Sequence, residues 1–380
     1  MARALIIGGG IAGPVTAMAL QRAGIEAAVH EAYPAGADDV GAFLVLFANG
    51  LAALAAIDAD AVVREHSFPA RTAEFLGADG AALGSRPLAG ANGGAAPRTL
   101  SRSVLHRVLR EEAARRGIPV HHGKRLVDRR TGPGGTVTAL FADGTRAEGD
   151  VLVGADGIHS RTRTLLDPAA PAPRPTGQTT VCGRLRDPAH AVPPATYRMM
   201  YGTRGFFGCT TAPDGTTYWF ANVPGAPGPG AGPAHWRRLV AQAFAGDGTP
   251  AAAMAAATGD DIVGTSAHDL QRTPVWHDRH TVLVGDAAHA TAPNAAQGAS
   301  LAIEDGVVLA QCLRDLPGIP RAFAAYERLR RGRAERVVAL SAALAARLAG
   351  AADENTPQRG DDGGADWLTG YRIDWDARVG

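Results

Sequence analysis

A short apolar run that breaks into glycines constrains this chain more than any other feature. Ala4, Leu5, Ile6 and Ile7 lead into Gly8-Gly9-Gly10-Ile11-Ala12-Gly13, and the chain resumes from Pro14 to Ala23 with helical periodicity. The run has the composition of a buried parallel strand. Gly8, Gly10 and Gly13 stand at G-x-G-x-x-G spacing. The first glycine permits a tight turn, the second lets backbone approach a pyrophosphate, and the third lets the helix pack on the strand. The helix beginning near Ala12 presents free N–H groups and the positive end of its dipole to phosphate. The next strand-like run, Ile25 to Glu31, ends in an acid followed by Ala32. That acid falls about 20 residues after the glycines, where a carboxylate takes both hydroxyls of a ribose. It favours an unphosphorylated ribose at this site, hence FAD or NAD rather than NADP. With 48 Gly in the chain, the triplet carries weight only in this setting.

Two further apolar runs stop in the same way. Asp150 to Val153 ends in Gly154-Ala155-Asp156-Gly157, and Thr281 to Val284 ends in Gly285-Asp286-Ala287-Ala288-His289. The turns at Gly8 and Gly285 read as two ends of one cofactor site. Asp156 has an alternative use as a cap for the segment from Ile158 to Thr164. Ser101 is a plausible N-cap for a helix from Arg102 to Arg116. Pro119 to Asp128 and Thr136 to Phe141 read as strands, and Ala78-Asp79-Gly80 as a hairpin turn between Arg71 and Arg86. From Gln178 to Val223 the texture changes to strand-like alternation carrying Tyr197, Tyr201, Phe206, Tyr218, Trp219 and Phe220. Helices are expected over Trp236–Ala245, Pro250–Ala257, Ala299–Leu313 and Ile319–Leu348.

The expected fold class is α/β: a Rossmann-type dinucleotide-binding domain with an inserted, mostly antiparallel β-sheet domain for substrate, and C-terminal helices. The first domain is discontinuous, over 1–70, 99–175 and 271–350. The second takes 71–98 and 176–270, and 351–380 forms a tail docked through Trp367, Tyr371 and Trp375. At 380 residues there is room for two domains and a large core. A net charge of +1 gives no electrostatic case for nucleic acid or an acidic membrane. Cys182, Cys209 and Cys312 are scattered, and neither His121-His122 nor His277 and His280 have metal-ligand spacing, so no metal is expected. No run approaches 18 apolar residues and no charged leader precedes the first strand, so the expected location is cytoplasmic. His289, next to Gly285-Asp286, is expected to pack or hydrogen-bond near the cofactor rather than act as a base.

Four motifs in order resemble the class A flavoprotein monooxygenases, the family of para-hydroxybenzoate hydroxylase, over roughly residues 1–345. They are Gly8-x-Gly10-x-x-Gly13 with Glu31, Arg102-x-x-Leu105-x-x-x-Leu109, Asp156-Gly157, and Gly285-Asp286-Ala287-Ala288-His289 with Pro293. The resemblance implies FAD as cofactor and NADH or NADPH as co-substrate. It implies oxygenation of an electron-rich aromatic or polyketide-like small molecule by dioxygen, through a C4a-hydroperoxyflavin. Epoxidation or Baeyer–Villiger oxygenation on the same scaffold, and a non-catalytic flavin-binding protein, stand as alternatives. By resemblance, Glu31 holds the adenosine ribose, Arg102 the diphosphate side, Asp286 the ribityl chain, and Gly298, Ala299 and Ser300 the flavin N1/C2 carbonyl side. Val45 flanks the ring, Asp156 serves the cofactors, and Pro293 lies over the flavin near where oxygen reacts. Tyr201, Tyr218, Phe220 and Pro293 are candidate substrate contacts, and Tyr201, Tyr218 and Pro293 are candidates for a catalytic role. The chain departs from the family pattern at Ala296, a glycine in many members. Asp38, Asp39 and Phe43 also replace an arginine and a glycine common in relatives. The expected assembly is a monomer or homodimer.

Overall fold

The computed structural model describes residues 2–34, 42–88, 95–132, 134–225, 231–348 and 366–380. Asp38, Asp39 and Gly41 lie outside the described residues. The chain opens with β1 (Arg3–Ile7), α1 (Ala12–Arg22) and β2 (Glu26–His30), then β3 (Phe43–Leu46), α2 (Ala48–Ala55), α3 (Asp60–Glu65) and β4 (Phe68–Pro69). The hairpin β5 (Thr72–Leu76) and β6 (Ala82–Pro87) follows, then β7 (Arg98–Ser101), α4 (Arg102–Arg115) and β8 (Val120–His121). Next come β9 (Leu126–Thr131), β10 (Val137–Phe141), β11 (Arg146–Gly149), β12 (Val151–Gly154) and α5 (Arg161–Leu166). The second half holds β13 (Arg174–Leu185), β14 (Thr196–Gly202), β15 (Gly205–Thr211), β16 (Thr217–Pro224), α6 (Pro233–Ala243), α7 (Ala251–Ala257) and β17 (Ile262–Asp269). It closes with β18 (Thr281–Leu283), α8 (Asp286–His289), α9 (Gly298–Asp315), α10 (Ile319–Leu348) and α11 (Asp366–Thr369).

The three apolar runs that end in glycine turns are neighbours in one parallel sheet of order β18-β12-β1-β2-β8. Ile7 pairs with Gly154 and Gly154 with Leu283, so the three turns leave the sheet at one edge. Parallel strands covered on both faces read as continuous apolar runs, and Leu5, Ile6, Val153 and Val282 are fully buried. α1 and α9 cross on this sheet at backbone contact. A Cβ on Gly306 would sit 2.7 Å from Thr16 Oγ1 and 3.0 Å from Thr16 N.

The inserted domain is a seven-stranded sheet of order β17-β13-β16-β15-β14-β5-β6. Its ladders are antiparallel except β14 on β5, which is parallel, so the hairpin β5–β6 extends the sheet rather than forming a separate unit. Two smaller sheets, β11-β10-β9 and β3-β7-β4, flank the parallel sheet and the joint between domains.

One local reading of the sequence is corrected. The run Pro119–Asp128 is not one strand: Val120 and His121 pair with β2, the chain breaks at Gly123 (φ +71°), and Leu126 starts a strand paired with β10. β17, unassigned from sequence, opens on Ile262 and Val263 but carries Gly264, Ser266 and His268. It pairs with β13, and the Trp236 indole of α6 lies against Gly264, where a Cβ would be 2.5 Å from the ring. Tertiary contact here overrides local propensity. Among the described residues no helix is long and apolar enough to cross a membrane.

Gly306 and Gly332 separate packing from helix propensity. Gly306→Val forces α9 off α1 and should cost about 1–3 kcal/mol in urea unfolding, the usual penalty of overpacking. Gly332 on α10 has no heavy atom within 4 Å of its Cβ position, so Gly332→Ala should stabilise by up to about 1 kcal/mol. Equal effects of the two substitutions would contradict the α1–α9 contact.

Candidate active site

The fingerprint glycines divide their work as their spacing implies. Gly8 has φ +109°, and a Cβ there would lie 2.3 Å from the Ala155 carbonyl oxygen, so the turn packs against the end of β12. A Cβ on Gly13 would lie 1.9 Å from Gly8 O, which brings α1 down onto the turn. Around Gly10 nothing stands within 4 Å, leaving its backbone approachable. Ala12 is buried against the Gly285 turn: a Cβ on Gly285 (φ +59°) would be 3.2 Å from Ala12 Cβ and 3.1 Å from Ala302 Cβ. The two glycine turns therefore meet. Glu31 follows β2, and its Oε2 accepts a 2.5 Å hydrogen bond from Gly9 N–H while Oε1 accepts from Tyr33 N–H. Ala32 lies beside it, half-buried.

Asp286, half-buried at the first position of α8, accepts no hydrogen bond from any described residue. Its Oδ1 lies 3.8 Å from where a side chain on Gly298 would begin. Gly298, Ala299 and Ser300 form the first turn of α9, whose N-terminus has no side-chain cap and no acid in its first turn. Ser300 Oγ, Gln297 Nε2, Asn294 Oδ1 and Asn49 Oδ1 are buried there without a protein partner. Orphaned buried polar atoms are rare and costly, and their clustering beside free helix N–H groups suits a polar, partly anionic ligand. Just before this turn Ala296 adopts the left-handed conformation (φ 52°, ψ 37°), which favours glycine.

Below this surface lies a buried ion cluster. Arg330 of α10, fully buried, donates from Nη2 to Glu304 Oε2 (2.6 Å) and from Nε to Asp305 Oδ1 (2.8 Å). Asp305 Oδ2 also accepts from Gly285 N–H (2.9 Å) and lies 2.5 Å from His289 Nε2. Glu304 Oε1 accepts from Asn49 Nδ2 (2.6 Å) and from Arg333 Nη2 (2.9 Å). Burial alone would raise the Asp305 carboxyl, but His289 and Arg330 hold it well below the usual carboxylate range. Burial opposes charge on His289, and the adjoining Asp305 overcomes it and raises the imidazole pKa. The sequence reading missed this cluster. Its signal was present, since Glu304-Asp305 interrupts an otherwise apolar stretch of helix from Leu301 to Ala310.

Asp156 is occupied at the start of α5. Its Oδ1 accepts from Ser160 Oγ (2.5 Å) and its Oδ2 from Thr162 N–H (2.9 Å) and Oγ1 (3.0 Å), while burial pushes the carboxyl upward. Arg102 is exposed at the start of α4, which Ser101 caps by accepting from Val104 N–H (3.1 Å). Val45 packs with Phe43 toward the inserted sheet, against Tyr197 and Ala73. Pro293 is exposed in the turn before α9.

Register divides the inserted sheet into two faces. Phe207, Trp219 and Ala221 turn toward α6 and α7 and are buried with Trp236 and Phe244. Trp219, one of the aromatics that marked the sheet, is thus core: its Nε1–H donates to Thr258 Oγ1 (2.9 Å). The other face carries Tyr218 and Phe220 on β16, Phe206 on β15, and Tyr201 on β14, placed there by the pairs Gly208↔Phe220, Thr210↔Tyr218 and Tyr201↔Phe206. Phe43 crosses from β3 to meet it, with ring centroids 5.6 Å from Tyr218 and 6.1 Å from Phe220. Tyr201 sits farther along, 45% exposed and ringed by Phe75 and Phe206. Gln178 of β13 accepts from Asn294 Nδ2 (3.3 Å), bringing this face to the turn before α9. Among the described residues no group of His, Cys, Asp or Glu is arranged to hold a metal ion.

Comparison with known proteins follows this geometry. The FAD binding domain family matches residues 1–341. The aurachin C monooxygenase/isomerase of Stigmatella aurantiaca is 35% identical over 338 residues, 88% of this chain and 86% of that protein. The chloroplastic zeaxanthin epoxidase of Oryza sativa subsp. japonica is 31% identical over 81% of this chain and 48% of its own length. The crystal structure of Klebsiella pneumoniae HpxO with FAD and uric acid superposes with a TM-score of 0.84 at 27% identity, over 92% of this chain and 89% of that one.

Two substitutions test the site's foundations. Arg330→Met leaves two buried carboxylates short of their partner and should cost about 3–5 kcal/mol in urea unfolding. Ala296→Gly relieves the left-handed strain and should stabilise by about 1 kcal/mol. Wild-type stability in Arg330→Met would show that the cluster does not hold these elements together.

Proposed function

The chain belongs to the FAD binding domain family and is an FAD-dependent monooxygenase, and we propose that it takes electrons from NADH or NADPH to hydroxylate an electron-rich aromatic or polyketide-like small molecule. The observation that carries this reading is a juxtaposition. The half-buried Asp286 and the uncapped start of α9 stand on one side, and the aromatic face of the inserted sheet stands on the other.

The residues fit FAD. The open backbone at Gly10 and the N-terminus of α1 suit the diphosphate, with Arg102 exposed nearby in sequence to the start of α4. Glu31 suits the adenosine ribose, exchanging its present bonds to Gly9 and Tyr33 N–H for sugar hydroxyls. Asp286 suits the hydroxyls of the ribityl chain. The N–H groups at Gly298, Ala299 and Ser300 suit the N1/C2 carbonyl side, where a helix N-terminus stabilises negative charge. Val45 and Pro293 are assigned the surroundings of the ring. Asp156 is assigned a role through α5, since its carboxylate is committed there. FAD, when bound, supplies hydride acceptance and dioxygen activation. The protein binds the substrate ring against Tyr218 and Phe220, orients it and excludes water. Tyr218 stands beside Phe43 and Phe220 on the aromatic face, which makes it a better candidate than the exposed Tyr201 for holding a substrate hydroxyl. Resemblance to an epoxidase supports epoxidation as the second reading, distinguished by product structure.

An anaerobic absorption spectrum, followed by NADH or NADPH with a panel of phenols and indoles, tests the reading. The expected protein is yellow and bleaches faster with one compound class. Colourless protein that cannot be reconstituted with FAD would overturn it. Asp286→Ala should weaken FAD binding about 10- to 100-fold, the worth of a charged hydrogen bond. Tyr218→Phe should lower turnover of a phenol; unchanged turnover and product would remove Tyr218 from the chemistry.

A further inference from the structure

A cavity of about 260 Å3 opens between the small sheet β3-β7-β4 and the turn joining β15 to β16. Phe43, Phe68, Leu100, Val104, Pro213 and Tyr218 form its walls. Thr99, Ser101 and Asp214, among the polar side chains around it, are already engaged by the protein. Thr99 Oγ1 and the Tyr197 hydroxyl bond each other at 2.8 Å. Ser101 Oγ accepts from Val104 N–H at 3.1 Å. Asp214 accepts from Arg186 Nη2 (2.7 Å) and Thr216 N–H (2.9 Å). His66, at the exposed rim, has its Nδ1 2.9 Å from Val62 O.

A cavity walled mostly by apolar side chains offers a ligand apolar contact, which favours burial of hydrocarbon there. The volume is also informative. Pockets that enclose a whole drug-sized ligand run to about 300–1,000 Å3, so this one suits part of a molecule. Phe43 and Tyr218 belong both to this cavity and to the aromatic wall assigned to the substrate ring, so the two spaces border the same rings.

We propose that this cavity binds a hydrocarbon arm carried by the substrate, so that the substrate class is an aromatic ring bearing an alkyl or alkenyl chain. The proposal rests on the monooxygenase reading for the ring, but the arm's site stands on its own geometry. The ring lies against Phe220 and Tyr218, and the chain runs past Phe43 toward Leu100 and Val104.

A series of 4-alkylphenols, from 4-methylphenol to 4-hexylphenol, measured by isothermal titration calorimetry on the FAD-loaded protein, tests it. Affinity should rise about fourfold per methylene until the cavity is filled. Ala212→Trp fills the cavity from the β15–β16 turn, and Val104→Trp fills it from α4; each should flatten the series. Two independent walls keep the test decisive if one variant folds poorly, which its bound flavin and thermal unfolding report. A flat wild-type series, no saturable binding of any member, or a slope unchanged in both folded variants would overturn the proposal. Product analysis of the same phenols with NADH or NADPH separates the two readings. A steep series without oxygenated product leaves the arm site standing and counts against the monooxygenase chemistry. Oxygenated product with a flat series does the reverse.

Discussion

One buried guanidinium underlies the geometry of the candidate site. Arg330 is held by adjacent carboxylates of α9, and each carboxylate uses its second oxygen elsewhere. Asp305 fixes the Gly285 N–H and His289, at the two ends of α8. Glu304 fixes Asn49 at the start of α2, and Asn49 donates in turn to Gln297 Oε1 (2.9 Å) just before α9. Three segments of the candidate site thus hang from one charge cluster. Such a cluster contributes little net stability over an apolar replacement, because desolvation consumes most of the Coulombic gain. What it gives is direction. Apolar packing would let α2, α8 and α9 slide by fractions of an ångström, whereas hydrogen-bonded charges accept few arrangements.

The C-terminal segment completes that cluster. Tyr371 lies against both Arg330 and Arg333, with guanidinium carbons 5.3 and 4.5 Å from its ring centroid. Arg333 donates to the carbonyls of Trp367 and Leu368, and Trp375 lies against Arg22 and Arg314. Tyr371 and Trp375 thus cover arginines, while Trp367 and Trp375 also pack on apolar side chains. Their flat faces keep water from the ion pairs while accepting positive charge.

What could be read from sequence is what depends on local chemistry. The Gly8-Gly10-Gly13 turn, the Ser101 cap, the hairpin at Asp79-Gly80 and the long α9 and α10 each carry their cause within a few residues. What could not be read depends on partners far along the chain. β17 is a strand through its ladder with β13, far earlier in the chain, and Trp236 covers its Gly264. The split of 119–128 follows from two different partners, β2 and β10. Sequence alone names Tyr218 and Phe220, and not Trp219, as substrate candidates, but that Trp219 turns away from them depends on the position of α6 and α7. Arg330 looked like one more basic residue in an arginine-rich helix, and only its meeting with Glu304-Asp305 makes it central.

The turn before α9 is where the two domains share a constraint. Ser341 of α10 donates from Oγ to Ala292 O (2.5 Å) and accepts from Ala295 N–H (3.1 Å). Gln178 of the inserted sheet donates to Ala345 O (2.8 Å) and accepts from Asn294. Left-handed backbone at an alanine persists only where the surroundings over-determine it. Here they do: one face of the turn is bonded to α10, and the other reaches β13. Asn294 is thus the residue of the turn that bonds to the inserted sheet, two positions before Ala296 and three before Gln297. An arrangement of this kind links the wall proposed for a substrate ring to the helix end proposed for the cofactor, through hydrogen bonds rather than through the core.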